Sequence, residues 1–313
     1  MASEVKVQPT SWMDTPPSSP VFKNLSARLV NALPWLDKIS QPVQSSVAKF
    51  YGEPGQPTYK LKDILNGTWL GHVIHPILVT IPIGAWTTTL LLDLAWLGSE
   101  DEGVAKSADM TLWLGLGGAV GAAATGITQW VDTDGPEQRT GMLHALLNSS
   151  VTLLNIGSAV LRLAGQRRTA ITLASSAYAI SIYSAYLGGE LSYSSGIGVN
   201  HVAWEGGSDD FVAVLDEKDL LPGKLTRVDA AGIPAVLLKD GKTIHAIAAT
   251  CSHLGAPLDE GRYEDGIVYC PWHNSGFRMS DGSVANSPAV CSQPGFAVRV
   301  RSGRIELRRL EHV

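Results

Sequence analysis

The pattern of apolar and polar positions changes abruptly near Val73. Residues 1–66 hold the Pro/Ser stretch Thr15–Pro20 and a single amphipathic piece around Asn24–Leu36, which predicts a loosely ordered arm. No charged start is followed at once by an apolar run and a small-residue cleavage site, so an ordinary signal peptide is not expected. Four stretches then lack Asp, Glu, Lys and Arg altogether: 73–92, 111–131, 142–161 and 169–189. At 1.5 Å per residue each reaches across roughly 30 Å of hydrocarbon. Buried helices of soluble proteins keep charge on one face, and these would have no solvated side. The pattern predicts an all-α transmembrane four-helix bundle over residues 67–200, with Gly117 and Gly121 as a small-xxx-small pair for close helix approach.

After Gly189 a Gly/Ser-rich segment leads through a linker, 201–207, into another pattern. Phe211–Leu215, Ala235–Leu238, His245–Ala248, Gly266–Cys270, Phe296–Val300 and Arg304–Leu307 are short, β-branched or alternating. Turn signals separate them, among them Asp240-Gly241, Asp281-Gly282 and Ser302-Gly303. A small all-β domain over 208–313 is predicted.

Composition agrees with a chain that partly avoids water, since only 17% of residues are charged against roughly 25% in soluble domains. The 24 basic residues are outnumbered by 29 acidic ones, so no nucleic-acid partner is expected. Three cysteines cannot all pair, which excludes a disulfide framework and turns attention to where they stand. Cys251-Ser252-His253 and Cys270-Pro271-Trp272-His273 are separated by sixteen residues, and each offers one thiolate and one imidazole. Zinc fingers usually group their thiolates in one knuckle and their histidines in another. The mixed order suits a 2Fe-2S cluster with two Cys on one iron and two His on the other, a structural zinc ion being the alternative.

The text Cys251-Ser252-His253-Leu254-Gly255 and Cys270-Pro271-Trp272-His273-Asn274-Ser275-Gly276-Phe277 resembles the Rieske iron-sulfur family, over about Ser208 to Leu310. The resemblance implies a β-sandwich-like base with a cluster-binding subdomain. Cys251, His253, Cys270 and His273 would be the ligands, Leu254, Trp272 and Ser275 their surroundings, and the His-ligated iron would lie nearest the surface. Ala256 and Trp272 stand where quinol-oxidising members carry two further cysteines, so their disulfide is absent. Ser275 matches a hydrogen-bond donor to cluster sulfur, but Phe277 replaces the Tyr that donates to ligand sulfur. Losing a donor stabilises the reduced state less, and a low to moderate potential is expected. Asn274 replaces a frequent Gly but tolerates left-handed backbone. Cys291 reads as a buried small hydrophobe. Rieske oxygenases need a second iron site in a large domain after the cluster, whereas only 40 residues follow His273. A catalytic partner on this chain would therefore lie in the membrane part.

Gly67 to Asn200 resembles an uncharacterised bacterial family of four-helix membrane domains, through His75-Pro76-Ile77-Leu78-Val79, Gly141-Met142-Leu143-His144 and Leu187-Gly188-Gly189-Glu190. Helix alternation puts His75, His144, Asp132, Glu190 and His201 at one leaflet, with the β domain. Ionisable groups at membrane depth are costly and tend to be functional. His75 and His144 are candidates to bind haem or quinone, and Asp93 stands toward the opposite leaflet. Counts of Lys and Arg on the two sides are nearly tied. A long basic arm without an export signal points to a bacterial cell membrane protein with its Rieske domain in the cytoplasm. The expectation is a membrane-anchored electron-transfer protein, an electron carrier or oxidoreductase component rather than a self-contained catalyst. Its partners would be the lipid bilayer and a redox protein or quinone. The alternative is an oxidoreductase whose bundle holds haem or quinone.

Overall fold

A computed structural model describes residues 28–310; Thr15–Pro20 and the start of the amphipathic piece lie outside the described residues. Two helices, α1 (Trp35–Tyr51) and α2 (Pro57–Asn66), occupy the second half of what reads in the sequence as a loose arm. Leu36, Ser40 and Tyr51 are the buried positions of α1, and its polar groups find partners on the bundle. Gln44 donates to the Thr133 carbonyl at 2.7 Å, Asp37 pairs with Arg139 at 2.5 Å, and the Tyr51 hydroxyl lies 2.6 Å from Thr128 Oγ1. Such anchoring depends on residues distant in sequence, so no local apolar run announces it.

The four expected spans are α3 (His75–Ser99), α4 (Glu102–Trp130), α5 (Gly135–Leu163) and α6 (Arg167–Gly189), the last extended by a wide turn over Glu190–Ser194. All are long and apolar enough to cross a membrane. Asp101 caps α4 by accepting from the Val104 N–H at 2.9 Å. Leu91, Val120, Leu153, Leu163 and Ile182 point outward and are largely exposed, as lipid-facing positions are. The interior is thin and holds Trp86, Leu112, Leu116, Val151, Ala159 and Ala177.

Close approach of α3 and α4 rests on Gly115, Gly118 and Gly126, whose missing side chains leave room for Trp86, Ile81 and His75. Of the pair singled out in the sequence, Gly121 only touches Leu78 and Gly117 faces open space. A methyl at Gly115 would collide with Trp86 Nε1, so Gly115→Ala is expected to cost about 1–3 kcal/mol by overpacking. Thermal unfolding in detergent should show that loss, with Gly117→Ala unchanged. The opposite order would mean that the two helices do not meet on this face.

The bundle consists of two similar hairpins. In α3–α4, His75 Nδ1 lies 2.9 Å from the Ala122 carbonyl, and the ring packs on Gly126. In α5–α6, His144 Nδ1 lies 2.8 Å from the Ser184 carbonyl, and the ring packs on Gly188. In both, an imidazole near the start of one helix ties it to a carbonyl four residues before a glycine of the next.

At the other end Asp93, 1% exposed, meets both guanidinium nitrogens of Arg162. Arg162 also donates to Asp109 at 2.9 Å, and Arg167 donates to Asp109 at 2.6 Å. Asp93 thus belongs to a charge cluster joining all four spans, and Arg167-Arg168 are ion-pair partners of Asp109 and Glu100.

The rest is antiparallel β. Strands β1 (Val212–Asp216), β10 (Arg304–Arg309) and β9 (Phe296–Arg301) form one sheet, and β2 (Thr226–Asp229), β3 (Pro234–Asp240) and β4 (Thr243–Ala248) a second. A third holds β5 (Arg262–Glu264), β6 (Ile267–Tyr269), β7 (Gly276–Arg278) and β8 (Val284–Asn286). The all-α plus all-β reading therefore holds. Residues 235–238 of β3 are all buried because alternate side chains enter different cores. Val236 and Leu238 join the cluster loops and third sheet, while Ala235 and Leu237 pack on β9 and β10.

Candidate iron-sulfur site

Both Cys–His loops spring from this framework. The first follows β4 and is closed by a bridge between Thr250 and Pro257, with the Cys251 N–H donating to the Ala256 carbonyl at 2.8 Å. The second joins β6 to β7, with the Cys270 N–H donating to the Ser275 carbonyl at 2.8 Å. Asn274 takes φ 64°, the left-handed backbone expected of it.

Cys251 and Cys270 are both buried within the core. The N–H groups of His253 and Leu254 donate to the Cys251 sulfur, and those of Trp272 and His273 to the Cys270 sulfur. The two sulfurs share a hydrogen bond, which holds Cys270 down to about 6 and pushes Cys251 up. The imidazoles of His253 and His273 stand perpendicular with ring centroids 5.2 Å apart. Burial pushes His253 down to about 3, so it stays neutral. Nδ1 of both histidines is buried without a hydrogen-bond partner, an arrangement that costs about 1–3 kcal/mol per atom unless something binds there.

Two thiols rich in N–H donors and two orphaned ring nitrogens fit a metal cluster. Among the described residues no three His, Cys, Asp or Glu side chains gather to hold one ion. A diiron cluster asks only two protein ligands of each iron, because bridging sulfides supply the rest.

Ser275 is fully buried and its hydroxyl accepts from the Ala289 N–H at 3.1 Å. Phe277 is also fully buried, with no hydroxyl to offer, and Trp272 is 57% exposed. All three cysteines are free. Cys291 is only partly buried, contrary to expectation, because it lines a cavity of about 30 Å³ with His253, Asn66, Val73 and Gln129.

Sequence reasoning missed how the helical part meets these loops. The Tyr59 hydroxyl donates to the Ser287 carbonyl at 2.9 Å, and Asp63 accepts from the Ser287 N–H at 2.8 Å. Asn274 donates to Glu53 at 3.2 Å, and His273 Nε2 lies 3.1 Å from Asp134 Oδ2. Beside them Lys62 and Asp132 form a buried pair at 2.8 Å, in which burial pushes the Asp132 carboxyl up and Lys62 opposes it. The histidine edge thus faces α2 and the α4–α5 turn, and the His273 side chain is only 13% exposed. The acidic Asp132–Asp134 turn was the one local signal for this contact.

His75 and His144 do not join the site. Nδ1 of His144 lies 2.8 Å from the Ser184 carbonyl and Nε2 lies 3.0 Å from the Asn148 amide, so neither nitrogen is free for a metal.

A β domain presenting two Cys–His loops is thus joined to four helices long and apolar enough to cross a membrane. The chain belongs to the Rieske [2Fe-2S] domain family over residues 210–298, and residues 71–201 match the predicted membrane protein family DUF2231. Ferredoxin CarAc of Metapseudomonas resinovorans is 30% identical over 96 residues, covering 30% of this chain and 90% of that protein. Human apoptosis-inducing factor 3 is 34% identical over 96 residues, 31% of this chain, which spans only 16% of that relative's length. The ferredoxin of carbazole 1,9a-dioxygenase from Nocardioides aromaticivorans IC177 is 29% identical with a TM-score of 0.31, covering 31% of this chain and 96% of that one.

Proposed function

We propose that Cys251 and Cys270 hold one iron and His253 and His273 the other, and that the protein passes single electrons at a membrane surface. The observation that carries this is the pair of orphaned Nδ1 atoms beside two N–H-rich thiols. Bound there, the cluster supplies a one-electron couple. The chain's own residues do the rest: four backbone N–H groups hold negative charge on the thiolates, and Ser275 keeps a hydroxyl proton free to donate to sulfur. The division is 1–66, 67–200, a linker 201–207 and 208–313, with 35–66 as the helical collar of α1 and α2. Relatives named as ferredoxin components of oxygenase systems support a redox protein as electron partner. Lys38, Lys49 and Lys60 on α1 and α2 add positive charge at the end of the bundle that bears the β domain, which supports a cytoplasmic cluster in a bacterial cell membrane. Nothing in the hydrogen bonding of His144 favours haem ligation.

With Phe277 in place of a hydroxyl donor, the midpoint potential is expected toward the lower end of the range of about −150 to +300 mV. Anaerobic titration of the full chain, followed by paramagnetic resonance, tests both parts. A one-electron signal typical of imidazole-ligated clusters and a midpoint below about +200 mV are expected. Zinc in place of iron would sink the assignment, and a higher midpoint would sink the role of Phe277.

A further inference from the structure

The turn between α4 and α5 brings a carboxylate onto the histidine edge. Asp134 occupies the N-cap position of α5, with extended backbone (φ −128°, ψ 168°). An Asp there ordinarily accepts from the backbone N–H two or three residues on. Asp134 makes no such bond, and its Oδ2 lies 3.1 Å from His273 Nε2 instead. Since Nδ1 of His273 is the orphaned nitrogen, Nε2 carries the proton and donates it to the carboxylate. The surrounding seam fixes this geometry through Tyr59 and Asp63 on Ser287, Glu53 on Asn274, and the His201 N–H on the Ser252 carbonyl at 3.1 Å.

We propose that Asp134 is a positioning residue through which the membrane domain sets the reduction potential of the cluster in the neighbouring β domain. The inference rests on the ligand assignment above. Two effects act in the same direction. The hydrogen bond orients the imidazole and makes it a stronger donor to iron, as partners of ligating histidines do. The negative charge opposes the arrival of an electron, because reduction makes the cluster more negative. Both favour the oxidised state and lower the potential. Solvent limits the size of the effect, as the Asp134 side chain is 85% exposed. On this reading the helical bundle is a redox-tuning partner of the cluster as well as its anchor.

The test is a paramagnetic-resonance redox titration of the full chain with its cluster, in detergent, for wild type, Asp134→Asn, Asp134→Glu and Glu53→Gln. Asp134→Asn is expected to raise the ratio of reduced to oxidised cluster at fixed ambient potential three- to tenfold, about 28 to 59 mV at 59 mV per tenfold for one electron. Asp134→Glu should return most of the shift, and Glu53→Gln, which touches the loop but not a ligand, should move the ratio less than twofold. An Asp134→Asn ratio within twofold of wild type would overturn the proposal. So would an equal shift in Glu53→Gln, since general loosening of the seam would then explain both. If Asp134→Asn does not hold the cluster, Asp134→Ser carries the same expectation. Absence of the signal from wild type would instead refute the ligand assignment, so the two failures are distinguishable.

Discussion

Cys270→Ala, and equally Cys251→Ala, is expected to empty the site, taking iron from about two per chain to less than about a tenth of that and abolishing the paramagnetic signal of the reduced protein. Both sulfurs lie in the core beside Val236, Ile247, Leu258 and Phe277, and Ala is nearly as small and as apolar as a thiol. The β domain should therefore keep its sheets, which far-ultraviolet circular dichroism would record, while losing the metal. His253→Ala and His273→Ala should lose the cluster as well. Cys291→Ala is the control: Cys291 is only partly buried and lies outside both loops, so its removal should leave iron content unchanged. Retention of the full signal in Cys270→Ala, or its loss in Cys291→Ala, would overturn the assignment.

The largest stability effect is expected at the opposite end of the bundle. Arg162→Ala would leave Asp93, 1% exposed, without the guanidinium that meets both its oxygens. Removing one partner of a buried pair costs about 3–5 kcal/mol, because the remaining charge is desolvated and unpaired. Arg167 does not replace it, since its nearest nitrogen is 4.0 Å from Asp93. Thermal unfolding in detergent should show the loss in Arg162→Ala, and the double variant Asp93→Asn with Arg162→Met should recover much of it. A loss below about 1 kcal/mol would mean that water reaches the pair. The cluster potential should stay as in wild type, since this network lies at the end of the bundle away from the β domain.

The four spans and the two Cys–His loops are legible because their signals are local: an uncharged run of about twenty residues can be read residue by residue, and so can a thiolate two or three positions from an imidazole. Asn274 is legible for the same reason, as its left-handed backbone is a property of one residue. Short strands such as β2, β5, β7 and β8, of three or four residues, escape notice because so few positions cannot display an alternation. The Gly117–Gly121 spacing was only half informative, because helix phase, set by packing, turned Gly115, Gly118 and Gly126 closely onto α3, left Gly121 in ordinary contact with Leu78 and pointed Gly117 into open space. What holds the two membrane histidines is not legible either, since a sequence does not show that each Nδ1 meets a carbonyl of the next helix or that Asn148 meets Nε2 of His144.

The order of residues alone thus determined that the chain has an apolar helical part and a β part with two Cys–His loops, since hydropathy and donor chemistry belong to short stretches. Only tertiary structure decided that α1 and α2 form a collar, that Asp93 is neutralised by Arg162, and that Asp134 forgoes its cap to meet His273 139 residues away. Each of these is a pairing of polar groups across long loops. Its free energy depends on burial and distance, and neither exists until the chain has folded.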